Sequence, residues 1–481
     1  MSDRVLIFIV AYNAGNHIRS VLDRLPKEVF NNSSFHVLII DDCSKDQTAQ
    51  TASTHVSHYK YDNVTVLRNT INMGYGGNQK VGYRYAVENG FGLVILLHGD
   101  GQYAPELVLE FVKRWEEEKA DVVLGSRMIE KSRARAGGMP FYKWIGNQVL
   151  TTFQNYTVGS ALSEFHTGYR AYDTGFLKKI PFELNTNDFH FDTEILLQAF
   201  ALEAKVAEFS IPTHYGDEIC HVNGMQYAWD VVKACLEYKF QKIGFFCSMQ
   251  YRGLLKHQES QSGSAQYHVI ERIRPGSKVL NLGRNSEFLN QQLSALSCKV
   301  TTRTVDLEAG KPEEDVSAYD YVLSLDRIER YSDTENFLVN CRYSMGSLHQ
   351  PTFVLSAGNV AFLGLRILLA FGTFNYGERG ILKVNHNRLF TLSSVRRMLH
   401  ETGYESGEVR GIGVPFNLVF PGKLGRLLAR ISDGLARFYP SMFAYQFLIE
   451  CKPKPHSFML ISNAQKFYDS KPAISSIQPQ I

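Results

Sequence analysis

The sequence lacks the features that mark disulfide-rich, zinc-binding and nucleic-acid-binding proteins. Its seven cysteines are odd in number and scattered, with no C-x-x-C pair to indicate a zinc site or a disulfide framework. Its 51 basic residues exceed its 48 acidic residues by only three, which is too small an excess to imply a nucleic-acid partner. We therefore expect a reduced, cytoplasmic setting and no nucleic acid among the partners.

Long apolar runs are also missing. The run at residues 5–10 is short and lacks the cleavage pattern of a signal peptide. The longest later run, residues 361–374, is shorter than the roughly 20 residues that cross a bilayer, and it contains Arg366. We expect neither a leader peptide nor a membrane span.

What the sequence does have is the composition of a large globular protein. Its 481 residues are 44% hydrophobic and include 31 Phe and 25 Tyr, enough for two or three domains with their own cores. Through the first 230 or so residues, short β-type runs alternate with helical patterns, which predicts an α/β fold around a largely parallel sheet. The predicted strands are residues 4–10, 35–40, 64–67, 93–97 and 121–124.

The pattern breaks once and then restarts. A helical stretch at residues 227–255 is followed by residues 258–266, which contain no bulky apolar side chain and indicate a linker. A buried-strand pattern resumes at residues 278–283 and predicts a second, smaller α/β domain. The expected division is a first domain at 1–256, a linker at 257–267, a second domain at 268–465 and a tail at 466–481.

Three predicted strands end in side chains suited to a nucleotide ligand. Tyr12 and Asp42 could stack on and hydrogen-bond a nucleobase, and Asp100 could bind a divalent cation shared with a diphosphate. The alternative for each residue alone is a helix cap or a turn. Their shared position at the carboxyl edge of one sheet favours the ligand site.

Four ordered segments carry a family resemblance over about residues 4–240. They are IVAYNAGNHI, VLIIDDCSKDQT, NMGYGGNQKVGYRYA and LLHGDGQYAPE. They resemble the motifs of the family 2 glycosyltransferases of the GT-A fold, particularly the polyprenol-phosphate sugar synthase branch. The resemblance implies nucleotide-sugar contacts at Ala11, Tyr12, Asn13, Asp41, Asp42, Gly74 and Asp100.

The same resemblance implies a metal site, with one departure from the family pattern. Asp100 would hold the metal and the diphosphate, and Gln102 would support it. His98 replaces the first aspartate of D-x-D. As a softer ligand it would favour Mn²⁺ over Mg²⁺, although a histidine that touches no metal is the slightly preferred alternative.

Two arginines and a glutamate complete the implied catalytic set. Arg127 and Arg170 match family arginines that bind phosphate oxygens, and Glu164 is the first candidate for proton transfer. Asp192 and Glu194 are the next candidates, with a role at the start of a helix as the alternative. Surface salt bridges are the alternative for either arginine alone.

The second domain resembles class I S-adenosylmethionine-dependent methyltransferases over residues 268–461. The segment KVLNLGRNSE corresponds to their first motif, but Asn285 and Ser286 occupy the tight part of a turn that is normally glycine-rich, and Asn281 replaces the usual acid. The acidic segment 306–308 follows Val300 too closely for the usual strand-end acid, helix and third strand. We expect a degenerate domain in which S-adenosylmethionine binding is unlikely, with a working methyltransferase as the alternative.

Residues 422–438 form a basic amphipathic pattern. It fits either a helix on its own core or a helix lying on anionic lipid, and the core interpretation is preferred.

The combined expectation is a metal-dependent, inverting hexosyltransferase with Mg²⁺ or Mn²⁺. It would use a UDP-, GDP- or dTDP-sugar, and its acceptor would be a polyprenyl phosphate or a cell-surface glycan intermediate in cell-envelope polysaccharide biosynthesis. It would be cytoplasmic, with peripheral contact to the inner face of the cytoplasmic membrane. The alternatives are a bifunctional glycosyltransferase and methyltransferase, and a non-catalytic scaffold that binds nucleotide sugars.

Overall fold

The computed structural model describes residues 4–212, 223–255, 265–283, 286–303, 312, 314–346 and 349–463. The chain divides into two compact units, Met1–His257 (unit 1) and Gln258–Ile481 (unit 2). The predicted tail at 466–481 and the predicted acidic segment 306–308 lie outside the described residues. Among the described residues, no helix is both long enough and apolar enough to cross a membrane.

Unit 1 alternates strands and helices as expected. Its strands are β1 (Val5–Ala11), β2 (Phe35–Asp41), β3 (Val64–Arg68), β4 (Leu93–His98), β5 (Val122–Ser126), β6 (Arg170–Asp173) and β7 (Val206–Ser210). Its helices are α1 (Ile18–Asp23), α2 (Lys27–Asn31), α3 (Thr48–Tyr59), α4 (Tyr75–Glu88), α5 (Val108–Glu118), α6 (Lys131–Ala136), α7 (Phe141–Val158), α8 (Thr174–Leu177), α9 (Phe191–Ala201) and α10 (Gly224–Gln241).

The strands of unit 1 form one sheet in the order β3-β2-β1-β4-β6-β5-β7. All neighbouring pairs are parallel except those that involve β6, which runs antiparallel to β4 and β5. The register pairs Ala11 with Asp41 and Val10 with His98. Because β1, β2 and β4 are parallel, the turns that carry Tyr12, Asp42 and Asp100 emerge at the same edge of the sheet.

The central strands are buried on both faces, which explains why they are nearly continuous apolar runs. On one face, α4 lies so close to β1 that a Cβ at Gly82 would overlap the ring of Phe8. Glycine at this position therefore permits the close contact between helix and sheet.

The sequence located five of these seven strands to within one or two residues. It missed β6 and β7, and the helix predicted at 227–255 is wrong in length because α10 ends at Gln241. The mixed α/β fold around a largely parallel sheet is confirmed.

Unit 2 also has an α/β fold. Its strands are β8 (Lys278–Asn281), β9 (Lys299–Thr302), β10 (Tyr321–Ser324), β11 (Thr352–Gly358), β12 (Tyr404–Ile412) and β13 (Gln446–Pro453). Its helices are α11 (Ala265–Ile270), α12 (Glu287–Ala295), α13 (Thr334–Tyr343), α14 (Leu363–Ala370), α15 (Leu392–Glu401), α16 (Gly422–Phe438), α17 (Pro440–Phe443) and α18 (Ser457–Asn463).

The sheet of unit 2 has the order β12-β13-β11-β10-β8-β9. Strands β9, β8, β10 and β11 are parallel, and β13 runs antiparallel to both β11 and β12. The predicted linker at 257–267 is too long at its end, because α11 begins at Ala265.

Candidate active site

The turns after β1 and β2 are tied to each other. Asn13 has a positive φ of 50°, and its backbone N–H donates to Ser44 Oγ at 2.8 Å. Its side-chain Oδ1 accepts from the backbone N–H of Lys45 at 3.0 Å. These hydrogen bonds fix the spacing between Tyr12 and Asp42 at the sheet edge.

Asp42 is held in one orientation by the chain that follows β3. Its Oδ1 accepts from Asn69 Nδ2 and from the backbone N–H of Met73, both at 2.8 Å. Tyr12 at the neighbouring strand end is 40% exposed. A fixed carboxylate beside an accessible aromatic ring is an arrangement suited to a planar nitrogen heterocycle.

Asp41 and Gly74, two predicted nucleotide-sugar contacts, have structural roles. Asp41 is buried, pairs with Arg68 Nε at 3.2 Å and accepts from Ser44. Its carboxylate therefore binds protein rather than facing the edge. Gly74 has a φ of 77°, and a Cβ there would lie 2.7 Å from the carbonyl oxygen of Asn187, so packing explains the glycine.

His98 and Asp100 lie at the end of β4, and a buried network holds the histidine. The hydroxyl of Tyr75 lies 3.1 Å from His98 Nε2 and donates to Asp192 Oδ2 at 3.1 Å. Asp192 Oδ1 in turn accepts from Gln79 Nε2 at 3.1 Å.

This network determines which nitrogen of His98 carries the proton. Burial raises the pKa of Tyr75 well above its usual value, so the phenol stays protonated. Its O–H donates a hydrogen bond to Asp192. Its oxygen must then accept from His98 Nε2–H. Burial also lowers the pKa of His98, so the ring is neutral and Nδ1 carries a lone pair. That nitrogen lies 4.0 Å from Asp100 Oδ2.

His98 Nδ1 and Asp100 Oδ2 are near enough to each other to reach one divalent cation. Two metal–ligand bonds of about 2.1 Å can just span their separation. The Asp100 side chain is 42% exposed, and its other oxygen accepts from the backbone N–H of Gln102 at 3.0 Å. Among the described residues no group of three His, Cys, Asp or Glu side chains could hold a metal, so substrate phosphates would supply the remaining ligands.

Glu164 does not have the environment of a proton acceptor that meets substrate. It is fully buried, accepts from the backbone N–H of Arg127 at 2.8 Å and from Asn147 Nδ2 at 2.8 Å, and forms an ion pair with the Arg127 guanidinium. Although burial acts to raise its pKa, Arg127 lowers it below the usual value. The geometry favours positioning of Arg127 over the proton transfer predicted from the sequence.

The environment of Arg170 contradicts the predicted role of this residue in phosphate binding. It is fully buried in β6, and its guanidinium donates to the carbonyl oxygens of Phe165 at 2.8 Å, Thr167 at 2.6 Å and Asp192 at 2.8 Å. A further N–H faces Asp192 Oδ2 at 3.5 Å. The fifth N–H donates to the Tyr172 hydroxyl at 3.4 Å. Arg170 therefore fixes the loop before β6 and the start of α9, and it has no donor left for a substrate.

The two alternative carboxylates are also bound to protein. Asp192 is held by Tyr75, Gln79 and Arg170, as described above. Glu194 accepts from the backbone N–H of Thr186 at 2.6 Å and from Gln250 Nε2 at 3.2 Å, and burial raises its pKa.

Sequence reasoning missed several residues of this site. Tyr75 and Asn147 are ordinary helix residues in the sequence, and nothing local reveals that they contact His98 and Glu164. His166 Nδ1 lies 2.9 Å from the Tyr227 hydroxyl, and burial lowers the pKa of His166 to about 4, so it is neutral near pH 7. The one sequence signal for these missed residues was His166 itself, which lies in the segment that ends at Arg170.

Comparison with known proteins shows what part of the first unit is similar to. Residues 6–180 match the family model described as glycosyl transferase family 2. This match supports the resemblance to family 2 glycosyltransferases that the four sequence motifs carry.

Three similar proteins were found with coverage confined to part of this chain. An uncharacterized protein of Methanocaldococcus jannaschii is 29% identical over 44% of this chain and 82% of its own length. An undecaprenyl-phosphate mannosyltransferase of Micrococcus luteus is 27% identical over 43% of this chain and 82% of its own. A polyprenol monophosphomannose synthase of Mycolicibacterium smegmatis is 25% identical over 37% of this chain and 65% of its own.

Solved structures with a likeness to this chain include a glucosyl-3-phosphoglycerate synthase from Mycobacterium tuberculosis in complex with Mn²⁺, uridine diphosphate and glucosyl-3-phosphoglycerate. It is 14% identical and covers 49% of this chain and 80% of its own, with a TM-score of 0.37.

Proposed function

We propose that unit 1 is a GT-A glycosyltransferase that moves a hexosyl group, with inversion, from a nucleotide sugar to the phosphate of a polyprenyl phosphate. The reaction would take place at the inner face of the cytoplasmic membrane, where such a lipid is accessible to a cytoplasmic enzyme.

This proposal rests on one observation, namely which carboxylates of the site are bound to protein groups and which one faces solvent. Glu164, Asp192 and Glu194 are buried and bound to protein groups, and Asp100 is the predicted site carboxylate that faces solvent. A sugar hydroxyl would need a base to take its proton, whereas a phosphate monoester is already an anion. The described part of the site therefore suits a phosphate acceptor.

The transfer balances without a base. A phosphate oxygen forms a bond to the anomeric carbon of the donor sugar from the side opposite the leaving group. The bond from that carbon to the β-phosphate oxygen breaks, and its electron pair leaves with the nucleoside diphosphate. The product is a lipid-linked sugar phosphodiester with the anomeric configuration inverted.

Residues at the sheet edge would bind the donor. Tyr12 would stack on the base and Asp42 would accept a hydrogen bond from it, with Ala11 and Asn13 shaping the turn between them. Asp100 and His98 would hold the metal, with Gln102 orienting Asp100. The bound Mn²⁺ or Mg²⁺ would stabilise negative charge on the departing diphosphate.

Arg127 would support the same diphosphate from a fixed position. Its backbone and side chain are both anchored by Glu164, and its guanidinium lies over the Tyr103 ring. A preorganised cation stabilises developing charge without reorganisation during the reaction.

Exposed apolar side chains on two helices beside Glu164 and His166 suit a lipid acceptor. Helix α7 contributes Asn147 to Glu164 on one face, and helix α10 contributes Tyr227 to His166. Their outward faces carry large apolar side chains that could contact an isoprenoid chain. These are Phe141, Tyr142, Ile145 and Val149 on α7 and Met225 and Trp229 on α10.

The relatives support the acceptor class. Two of them are named as a mannosyltransferase acting on undecaprenyl phosphate and as a polyprenol monophosphomannose synthase. We propose the same acceptor class, a polyprenyl phosphate, for this chain. The donor is to be identified by assaying a panel of UDP-, GDP- and dTDP-sugars.

For unit 2, we infer a methyltransferase-like ancestry without cofactor binding. The parallel strands β8, β10 and β11 support the ancestry. Against cofactor binding, the Asn281 side chain accepts from the backbone N–H of Gly283 at 3.0 Å, and so closes its own turn. Calorimetric titration of the full chain with S-adenosylmethionine should give no binding heat, and micromolar binding would restore the bifunctional alternative.

The test of the main proposal is release of nucleoside diphosphate. Full-length protein is incubated with each nucleotide sugar, Mn²⁺ or Mg²⁺, and a short-chain polyprenyl phosphate in detergent. Release should require the lipid phosphate and should fall by about 100-fold or more in Asp100→Asn, since the variant loses a charge that offsets the diphosphate. Asp62→Asn, an exposed carboxylate in the turn before β3, is the matched control and should be unaffected.

The failures are distinguishable. Release that depends on Asp100 but not on the lipid phosphate would overturn the acceptor, and a glycan would take its place. Absence of both release and thermal stabilisation by every nucleotide sugar would overturn the transferase in favour of a scaffold.

A further inference from the structure

Helix α16 in unit 2 attaches to its unit mainly through small residues rather than through its large apolar side chains. Gly425 and Ala436 are its buried residues, and a Cβ at Gly413 would lie 2.6 Å from the backbone nitrogen of Asp433. The chain after β12 is also hydrogen-bonded to the helix: Gly413 N–H donates to Asp433 Oδ1 and Val414 N–H donates to Ser432 Oγ, both at 2.8 Å.

Leu428 is half-buried, and the other five large apolar side chains of α16 face outward. Each is between 43% and 86% exposed, and their spacing of three or four residues aligns them along one side of the helix. They are Leu424, Leu427, Ile431, Leu435 and Phe438, which we call the outer stripe. The preferred sequence interpretation, in which the apolar side chains pack on the core of their own unit, is therefore wrong for the outer stripe.

Basic side chains lie on the next face of the same helix. Lys423, Arg426 and Arg430 have no carboxylate within 4.0 Å in the described part of the chain, and Arg437 pairs with Asp433 at 3.8 Å. Asp433 is the one acidic residue of the helix, and its other contacts face the unit. The outer stripe is therefore bordered by an excess of positive charge.

We propose that α16 docks unit 2 on an anionic phospholipid surface, with the outer stripe in the interfacial layer and the basic side chains on lipid headgroups. A helix with a strong apolar face and a basic polar face lies in the plane of a membrane interface. Its 17 residues give a length of about 25 Å, parallel to the surface.

Charge complementarity favours lipid over a second copy of the chain as the occupant. A two-fold contact through the outer stripe would bring the same basic face of each copy next to the other, because an isologous interface repeats one surface twice. Anionic headgroups instead attract Lys and Arg that lie near the membrane surface. The proposal goes beyond sugar transfer and does not depend on it.

Vesicle co-sedimentation tests this surface in the full-length protein. Vesicles of phosphatidylcholine with about 30% phosphatidylglycerol should bind the wild type, and binding should weaken at high salt and with pure phosphatidylcholine. Leu427→Gln/Ile431→Gln and Arg426→Glu/Arg430→Glu should each reduce binding by about tenfold or more. These side chains are exposed, so both variants should keep the wild-type unfolding temperature.

Matched controls change the same chemistry elsewhere on unit 2. Arg396→Glu/Arg397→Glu alters the same number of charges on α15, and Val384→Gln removes an exposed apolar side chain outside α16. Both should bind vesicles as the wild type does. Asp100→Asn should also bind normally, which separates this proposal from the transferase proposal.

Two kinds of result would overturn the proposal, one from vesicle binding and one from the oligomeric state. One is wild-type protein that does not bind anionic vesicles, or α16 variants that bind as tightly as the wild type. The other is a wild-type dimer in solution that Leu427→Gln/Ile431→Gln converts to a monomer without any effect of vesicles, which would assign the outer stripe to a contact between copies.

Discussion

The Tyr75 hydroxyl contacts His98 Nε2 at 3.1 Å, and this contact turns the opposite nitrogen of the imidazole toward Asp100. The tyrosine is on α4 and the histidine ends β4, so the helix packed over the sheet controls the orientation of a group at its edge. Groups that bond the far nitrogen of a metal-binding histidine fix its tautomer and raise its basicity. In the proposed metal site, His98 would therefore supply a donor at the position where the family motif has an aspartate.

Tyr75→Phe should weaken metal use. The variant removes the acceptor for His98 Nε2–H, so the ring is free to rotate and to exchange tautomers. We expect the Mn²⁺ concentration for half-maximal nucleotide release to rise by roughly tenfold, with a small change in kcat at saturating Mn²⁺. Tyr85→Phe on the same helix is the control. An unchanged Mn²⁺ dependence would show that His98 takes no part in metal binding.

Glu164→Gln distinguishes positioning from proton transfer. A general base contributes about 10²- to 10⁴-fold to a rate, whereas a residue that orients Arg127 should cost about tenfold when its charge is lost. We expect the smaller effect and an unchanged pH profile of kcat/KM. Glu194→Gln, at another buried candidate, should also leave the pH profile unchanged, because Glu194 accepts from Thr186 and Gln250. A thousandfold loss with a missing acidic limb in the profile would restore the proton-transfer role.

Arg170→Met should affect stability before it affects chemistry. The guanidinium is fully buried and contacts Phe165, Thr167 and Asp192, so its removal leaves these carbonyl oxygens unpaired and the buried Asp192 carboxylate without its cation. Breaking a buried pair of this kind costs roughly 3–5 kcal/mol of unfolding free energy. Urea unfolding measures the loss, and Arg114→Met on the exposed face of α5 is the control. A variant with normal stability but no phosphate affinity would contradict the structural role.

The buried carboxyl group of Glu329 should make the free energy of unfolding of unit 2 depend on pH. It is buried near Asp326, accepts from the backbone N–H of Gly358 at 2.7 Å, and burial raises its pKa to about 7 from the usual 4.5. Because the folded chain holds this proton more tightly than the unfolded chain, stability should fall as the pH rises from 4.5 to 7 and stay level above that. The loss should be up to about 3 kcal/mol.

Glu329→Gln should remove this loss. The variant should match the wild type near pH 4.5 and exceed it in unfolding temperature at pH 8. Glu405→Gln, an exposed residue of β12, should show no such difference. Equal unfolding temperatures of Glu329→Gln and wild type at pH 8 would mean that the carboxylate is ionised in the folded protein at no cost.

The sequence predicts the strands that are buried on both faces better than the others. β1, β2 and β4 are continuous apolar runs, and such runs indicate central parallel strands. β6 is only four residues long and begins with Arg170, a residue type that predicts exposure. Its burial depends on carbonyl groups in the loop before β6 and at the start of α9, which no local pattern reveals.

The residues of the candidate site also differ in how well the sequence predicts them. Strand-end residues such as Asp42 and Asp100 were predictable because parallel strands bring their ends to one edge. The roles of Glu164 and Arg170 were not, because they depend on whether a side chain meets protein or solvent. For α16, the sequence revealed the amphipathic pattern, but which face packs inward depends on Gly411 and Gly413 in a distant segment of the chain.

The glycine contacts beneath α16 separate two demands that usually compete. In most surface helices the same leucines determine both folding and recognition, so a change in one alters the other. Here glycine backbone and short polar side chains hold the helix, and Leu427 and Ile431 can vary without disturbing that attachment. Mutational drift in the outward side chains is therefore free to change which surface the protein adheres to while the protein continues to fold.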